Sequence, residues 1–177
     1  MQRLLPGFDI LLPKERGIIF SPEETAESYM GNALIKAEAL YRLTGEPVLA
    51  DDSGLEVEAL GNAPGIHTAR YGGEGLSSRE RYMLLLKNME GIEDRRASFV
   101  SALVLMLSPR RVFIVQEECE GRIALAPSGT SGFGYDPVFY IDEAGCISAE
   151  LPEGGKDLYS HRGKAARRLR LLMEKEL

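Results

Sequence analysis

The stretch Pro47-Val48-Leu49-Ala50-Asp51-Asp52-Ser53-Gly54-Leu55-Glu56-Val57-Glu58-Ala59 decides the fold class. An apolar run from Pro47 to Ala50 breaks off into two carboxylates, a serine and a glycine. A short apolar run bounded by turn residues is the pattern of a buried strand. In α/β sheets, ligands bind beyond the carboxyl ends of such strands. Leu55, Val57 and Ala59 then alternate with Glu56 and Glu58, the period-two mark of a half-buried strand. Asp, Ser and Gly are also turn residues, so Asp51 to Gly54 alone fit a plain strand terminator as well as a site.

Upstream, residues 21–43 read as one helix. Ser21 takes the N-cap, Pro22 the first helical position and Glu24 the capping-box position. Tyr29, Ala33, Lys36, Ala37 and Leu40 follow at helical spacing, and Thr44-Gly45 ends the element. Before it, LLPGFDILL (4–12) reads as a turn at Pro6-Gly7 and a short apolar strand. Downstream come a turn-rich loop at Gly61–Gly65 and a helix from Ser77 to Met89. Ala97 to Leu107 and Arg111 to Glu118 read as two strands, with Ser108-Pro109-Arg110 as the hairpin between them. Gly129 to Asp136 is a glycine-rich loop, Val138 to Ile141 a short strand, and Ser160 caps a helix that runs to the C-terminus. Strands alternating with helices imply an α/β fold. No linker or repeat divides residues 1–177, which read as a single domain.

The 177 residues are enough for a self-sufficient core, burying about 70% of the unfolded surface. Hydrophobic residues at 44% and charged residues at 27% exclude disorder as the dominant state. With 21 Lys and Arg against 27 Asp and Glu, the net charge of −6 argues against nucleic acid or an anionic membrane as partner. Cys119 and Cys146 lie far apart and outside any CxxC, as expected of reduced thiols in a cytoplasm. The N-terminus lacks the apolar core of a signal peptide. No stretch reaches the roughly 18–20 apolar residues of a membrane span.

Several chemistries are excluded. GxxxxGK[ST] and HExxH are absent, and GTSGFG (129–134) does not have the order of a dinucleotide fingerprint. Two histidines, His67 and His161, are too few for a zinc hydrolase built on several. Four clusters remain. Asp51 and Asp52 can hold Mg²⁺, which prefers oxygen ligands and bridges carboxylates to substrate phosphates; the chemistry suggested is metal-assisted attack of water on phosphorus. Glu23-Glu24 supplies either a second metal carboxylate or acids that complement a helix start. Gly129 to Pro137 combines glycines that allow close approach with aromatics that can stack on a nucleobase; a tight hairpin with a core Phe has the same composition. Lys156, Ser160, His161 and Arg162 place donors at a helix start, suited to an acceptor such as a purine 6-keto oxygen or to solvent alone. Lys164, Arg167, Arg168 and Arg170 spread around the helix as a solvated face.

Four blocks, EETAESYMGNALIKA (23–37), LADDSGLEVEALGNAPGIHTARY (49–71), EGRIALAPSGTSGFGYDPVF (120–139) and KDLYSHRGKA (156–165), stand in an order and spacing that resemble the inosine triphosphate pyrophosphatase family. These are house-cleaning enzymes that remove deaminated purine nucleotides. The resemblance implies an elongated mixed sheet flanked by helices, two lobes with a nucleotide groove between them, and a homodimer. It implies Mg²⁺-dependent hydrolysis of inosine, deoxyinosine and xanthosine triphosphates to the monophosphate and pyrophosphate.

By position, the resemblance makes Asp52 the general base and a metal ligand. Glu23 becomes the partner metal carboxylate, with Glu24 the alternative in register. Ser53 contacts substrate beside Asp52. Phe133, Gly134, Tyr135 and Asp136 form the base-binding loop, Phe133 stacking. Lys156, His161 and Arg162 contact the nucleotide, the last two near the purine 6-position, and Lys36 reaches phosphate. Three departures accompany the match. Nothing before Glu23 matches the family's first strand and Thr-Gly-Asn-x-x-Lys loop; MQRLLPGFDI resembles the segment after them. Gly31 stands where relatives commonly have Glu, and Thr-Ser-Gly (130–132) replaces Thr-Gly-Gly. The first departure raises a rival, a catalytically weak nucleotide-binding protein without the triphosphate loop.

Overall fold

The Asp-Asp-Ser-Gly segment does not end a strand. The computed structural model, which describes residues 1–176 with side chains through Glu174, forms one ten-residue strand, β1, over Val48–Val57. The physical reason lies in the carboxylates. An Asx turn needs an Asp side chain bonded to its own neighbouring backbone. Here Asp51 is taken by Ser101 and Arg162, and Asp52 by Lys36. Val48, Ala50 and Asp52 are buried while Leu49, Asp51 and Ser53 are half-buried. Successive side chains of a strand point to opposite faces, so the two aspartates leave β1 on opposite sides.

Five further strands complete the sheet: β2 (Ala63–Gly65), β3 (Arg96–Ser108), β4 (Arg111–Ile123), β5 (Phe139–Ile141) and β6 (Cys146–Ile147). Their spatial order is β2-β1-β3-β4-β5-β6. The β1–β2, β4–β5 and β5–β6 pairs are antiparallel, with Leu55 opposite Gly65, Gly121 opposite Ile141 and Tyr140 opposite Ile147. Three helices flank the sheet: α1 (Tyr29–Thr44), α2 (Ser78–Asn88) and α3 (His161–Glu176). The expected α/β architecture and the β3–β4 hairpin are present. None of the helices in the described residues is long and apolar enough to cross a membrane.

The chain sorts into two compact units. The first comprises Met1–Asp52, Ser101–Glu117 and the chain from Arg162; its core is Leu5, Leu103, Leu105, Val115, Leu169 and Met173 with small alanines. The second comprises Ser53–Val100 and Glu118–His161, with Leu55, Leu85, Met89, Ile123, Phe139 and Ile141 at its centre.

Three local expectations are corrected. Helix α1 starts at Tyr29 rather than Pro22, because Ser28 is the N-cap: its hydroxyl accepts the Gly31 N–H at 3.1 Å. The Ala26 N–H donates to Asn32 Oδ1 at 3.0 Å, which folds the preceding segment back across the first helical turn. A Cβ on Gly31 would stand 2.5 Å from the Ala26 Cβ, so this fold-back requires glycine there. Residues 8–12 are not a strand. The Gln2 side chain takes the backbone groups a neighbour would have taken, donating to Phe8 O at 2.5 Å and accepting from the Ile10 N–H at 2.9 Å. The alternation Leu55-Val57-Ala59 belongs to the end of β1, and Ala59 lies in a 3-10 turn, Glu58–Leu60.

Helix α2 has a full capping box. Ser77 Oγ accepts the Glu80 N–H at 3.2 Å, and Glu80 Oε2 accepts the Ser77 N–H at 2.8 Å. Ser77→Ala is expected to cost about 1 kcal/mol, read as a lowered midpoint in urea unfolding at unchanged slope.

Candidate active site

Asp52, 9% exposed, is the most deeply placed carboxylate among the described residues of the first unit. Lys36, two turns into α1, donates from Nζ to Asp52 Oδ1 at 2.7 Å. The same ammonium lies 3.2 Å from Glu24 Oε1. Helical spacing sets Asn32 on the Lys36 face, one turn earlier. Asp52 Oδ2 is buried and accepts no hydrogen bond. Burial pushes the Asp52 pKa up and Glu24 adds to the rise, more than the hydrogen bond and charge of Lys36 and the nearby Asn32 side chain pull it down. A carboxylate raised in this way is a better proton acceptor than a solvated one. Glu23 is exposed, and none of the described contacts joins it to this group. Ser53 follows Asp52 on β1 and is half-buried.

The donor set can be tested against a metal. Among the described residues no cluster of three or more His, Cys, Asp or Glu is built to cage an ion. Mg²⁺ does not need one, since it binds through one or two carboxylates and completes its shell with phosphate oxygens and water. An orphaned buried Oδ2 on Asp52 with the Glu24 carboxylate across the same lysine fits that requirement.

In the second unit, Asp136 organises the glycine-rich loop. It is 2% exposed. Oδ2 accepts the Phe133 N–H at 2.8 Å and Lys156 Nζ at 2.5 Å; Oδ1 accepts Ser148 Oγ at 2.8 Å. Gly132 has φ +82°, and a Cβ there would collide with Oδ2, so the turn admits only glycine. Phe133 is 67% exposed with the Lys156 ammonium 5.2 Å from its ring centroid. Nothing stands within 4 Å of a Cβ built on Gly134, which leaves that backbone approachable. Tyr135 is different. Its ring is buried, its hydroxyl donates to Thr68 O at 3.1 Å, and burial raises its pKa. Of the loop's two aromatics, Phe133 therefore offers a face and Tyr135 anchors the loop.

His161 belongs to the same unit and stacks on Phe99, with centroids 4.9 Å apart and planes 15° apart. Phe99 in turn meets Phe139 edge-on at 4.6 Å. Arg162, next in the chain, belongs to the first unit and donates from Nε to Asp51 Oδ2 at 2.6 Å. Asp51 Oδ1 accepts Ser101 Oγ at 2.8 Å. No sequence motif gives Asp51 a substrate contact, and none marks Ser101 or Asn32. A signal existed for Ser101: it is the one polar residue in the buried run Val100 to Met106 of β3.

Known proteins resemble this chain along most of its length. The sequence model of the Ham1 family matches residues 1–172, reaching back over the first twenty residues, where the motif resemblance did not extend. A dITP/XTP pyrophosphatase of Treponema denticola is 49% identical over 168 residues, 93% of this chain and 87% of that protein. One from Thermus thermophilus is 46% identical over 167 residues, 93% of this chain and 76% of that protein. The Staphylococcus aureus Ham1 protein superposes with a TM-score of 0.91 at 35% identity, covering 99% of this chain and 92% of that one. A HAM1 protein from Coxiella burnetii gives 0.89 at 37% identity, with 98% and 91% covered. The family read from the four motif blocks is thus confirmed along nearly the whole sequence, and the chain belongs to the Ham1 family.

Proposed function

We propose that this chain is a nucleoside triphosphate pyrophosphatase that hydrolyses deaminated purine nucleotides (inosine, deoxyinosine and xanthosine triphosphates) to the monophosphate and pyrophosphate. The observation that carries the reading is the buried Asp52, its Oδ2 open, paired with Lys36 and faced by Glu24. It stands in a chain whose relatives carry the name dITP/XTP pyrophosphatase.

Asp52 accepts the proton of the attacking water. The water oxygen bonds to the α-phosphorus as the bond to the α–β bridging oxygen breaks, and the electron pair leaves with pyrophosphate. Lys36 offers its ammonium to the phosphates. Asp52 and Glu24 would hold Mg²⁺, which when bound neutralises phosphate charge and polarises the phosphoryl oxygens. Glu24, which meets Lys36, is the better placed second carboxylate; none of the described contacts joins Glu23 to the group. Ser53 contacts substrate beside Asp52. Phe133 stacks on the base, Gly134 lets it approach, and Asp136 with Tyr135 holds the loop in place. Lys156, His161 and Arg162 donate to the nucleotide, the last two to the purine 6-keto oxygen. An amino group there would meet donors with donors, and a site whose polar groups go unpaired rejects the wrong base strongly. The same reading takes the enzyme to be a cytoplasmic homodimer.

The test is pyrophosphate release from inosine, guanosine and adenosine triphosphates, with Mg²⁺ and with a chelator. Release from the inosine substrate that needs the metal, and far slower release from the adenosine substrate, is the expected result. A folded protein that releases pyrophosphate from none of them overturns the reading. The binding-only rival is separated by calorimetry, since it predicts similar affinity for inosine tri- and monophosphate. Phe133→Ala is expected to raise KM about tenfold, because base–aromatic stacking contributes about 1–3 kcal/mol; an unchanged KM removes Phe133 from the base site.

A further inference from the structure

Arg162 sits where helix electrostatics do not favour it. It is the second residue of α3, next to His161 and two before Lys164, and the first turn holds no acidic residue. A helix N-terminus carries partial positive charge and disfavours cations. The cost is offset by a carboxylate from β1: Asp51 Oδ2 receives Arg162 Nε at 2.6 Å. Asp51 is itself held. Its other oxygen receives the hydroxyl of Ser101, which is 0% exposed. Burying a hydroxyl costs free energy unless it is bonded, and every other residue from Val100 to Met106 is apolar. Plain core packing calls for Val or Ala at that position. With its two oxygens engaged by donors from two different elements, the Asp51 carboxylate has a fixed plane.

We infer that Asp51, oriented by Ser101, is a positioning residue that aims the Arg162 guanidinium at the purine 6-keto oxygen and so sets keto-over-amino selectivity. This rests on the reading above that Arg162 meets the base. A guanidinium is a rigid planar fork. A carboxylate bonded at Nε fixes the rotation of that plane and thus the direction of its terminal NH₂ groups. Lysine has no donor that could be held at such a point along the stem. Asp51 and Asp52 therefore divide the work by parity of the strand: Asp52 faces α1 and the proton, and Asp51 faces α3 and the reading of the base.

Two readouts separate this role from simple bracing. The first is the ratio of kcat/KM for inosine triphosphate to that for adenosine triphosphate. The second is the affinity for inosine monophosphate against adenosine monophosphate, which reports on the base without turnover. Asp51→Asn is expected to lower both ratios about tenfold, with KM rising more than kcat falls. Ser101→Ala is expected to lower them about threefold, and it keeps the inference testable should Asp51→Asn fold poorly. Arg162→Gln should lose at least as much as Asp51→Asn, and the double variant Asp51→Asn/Arg162→Gln no more than Arg162→Gln alone, the mark of residues acting as one unit. Ratios unchanged in Asp51→Asn and Ser101→Ala but reduced in Arg162→Gln overturn the positioning role and leave the base-reading intact. Ratios unchanged in Arg162→Gln overturn the base-reading role of Arg162 itself. A fall in melting temperature with proportional losses on both nucleotides marks Asp51 as bracing only and overturns the inference.

Discussion

Asp52→Asn is expected to lower kcat for inosine triphosphate by about 10³-fold or more, while the protein stays folded. Positioned general bases contribute about 10²–10⁴-fold, and the same residue is proposed to help hold the metal. The amide cannot take the proton, and it is a poorer ligand for a hard cation. The fold should not suffer. Burial raises the Asp52 pKa in the native state. A carboxyl whose folded pKa exceeds its unfolded one favours folding in its protonated form, and that advantage is lost as pH rises through the folded value. At neutral pH the charge is a net cost to the metal-free fold, which Asn does not carry. Lys36 keeps Glu24 as partner. Thermal unfolding without metal should therefore show Asp52→Asn at least as stable as the parent. Turnover within tenfold of the parent would remove Asp52 from the role of base.

Asp136→Ala is the second large effect, and it falls on stability and affinity together. The carboxylate receives Phe133 N–H, Ser148 Oγ and Lys156 Nζ, and its removal leaves all three without that acceptor. Lys156 keeps access to water, its side chain being 24% exposed, so the loss is smaller than for a fully buried ion pair. We expect about 2–4 kcal/mol, a fall in melting temperature of roughly 5–15 °C for a chain of this size. The loop that carries Phe133 loses its clamp, so KM should rise about tenfold or more even at temperatures where the variant is folded. A variant with parental KM and a lowered melting temperature would show that the loop reaches its working form without Asp136.

Much of the candidate site is legible in the sequence because its residues are chemically specific. A buried strand running into paired aspartates, a glycine-rich loop with one exposed ring, and cations at a helix start each suggest a function by type. What the sequence does not reveal is which way each residue faces. Whether Asp51 turns the chain or extends it depends on Ser101 and Arg162, 50 and 111 residues away. Ser21-Pro22 and Ser28 are both sound helix starts; the bond from Ala26 to Asn32 selects the later one. Residues 8–12 have the pattern of a strand, but Gln2 occupies the place of a partner. Phe133 and Tyr135 lie two residues apart in one loop, and only packing sends one outward and the other into the core.

The placement of two aspartates on opposite sides of β1 has a consequence for changes of chain length. A single-codon insertion or deletion between Val48 and Ala50 that shifts both aspartates by one position would exchange the two sides. The acceptor meant for Lys36 would face Arg162, and the anchor of Arg162 would face Lys36. A two-codon change keeps the sides but displaces both groups by about 7 Å along the strand. Residues in this segment can be replaced singly, each at its own cost. Their number cannot change without disturbing both groups at once, so frame-preserving indels here should be as damaging as loss of Asp52 itself.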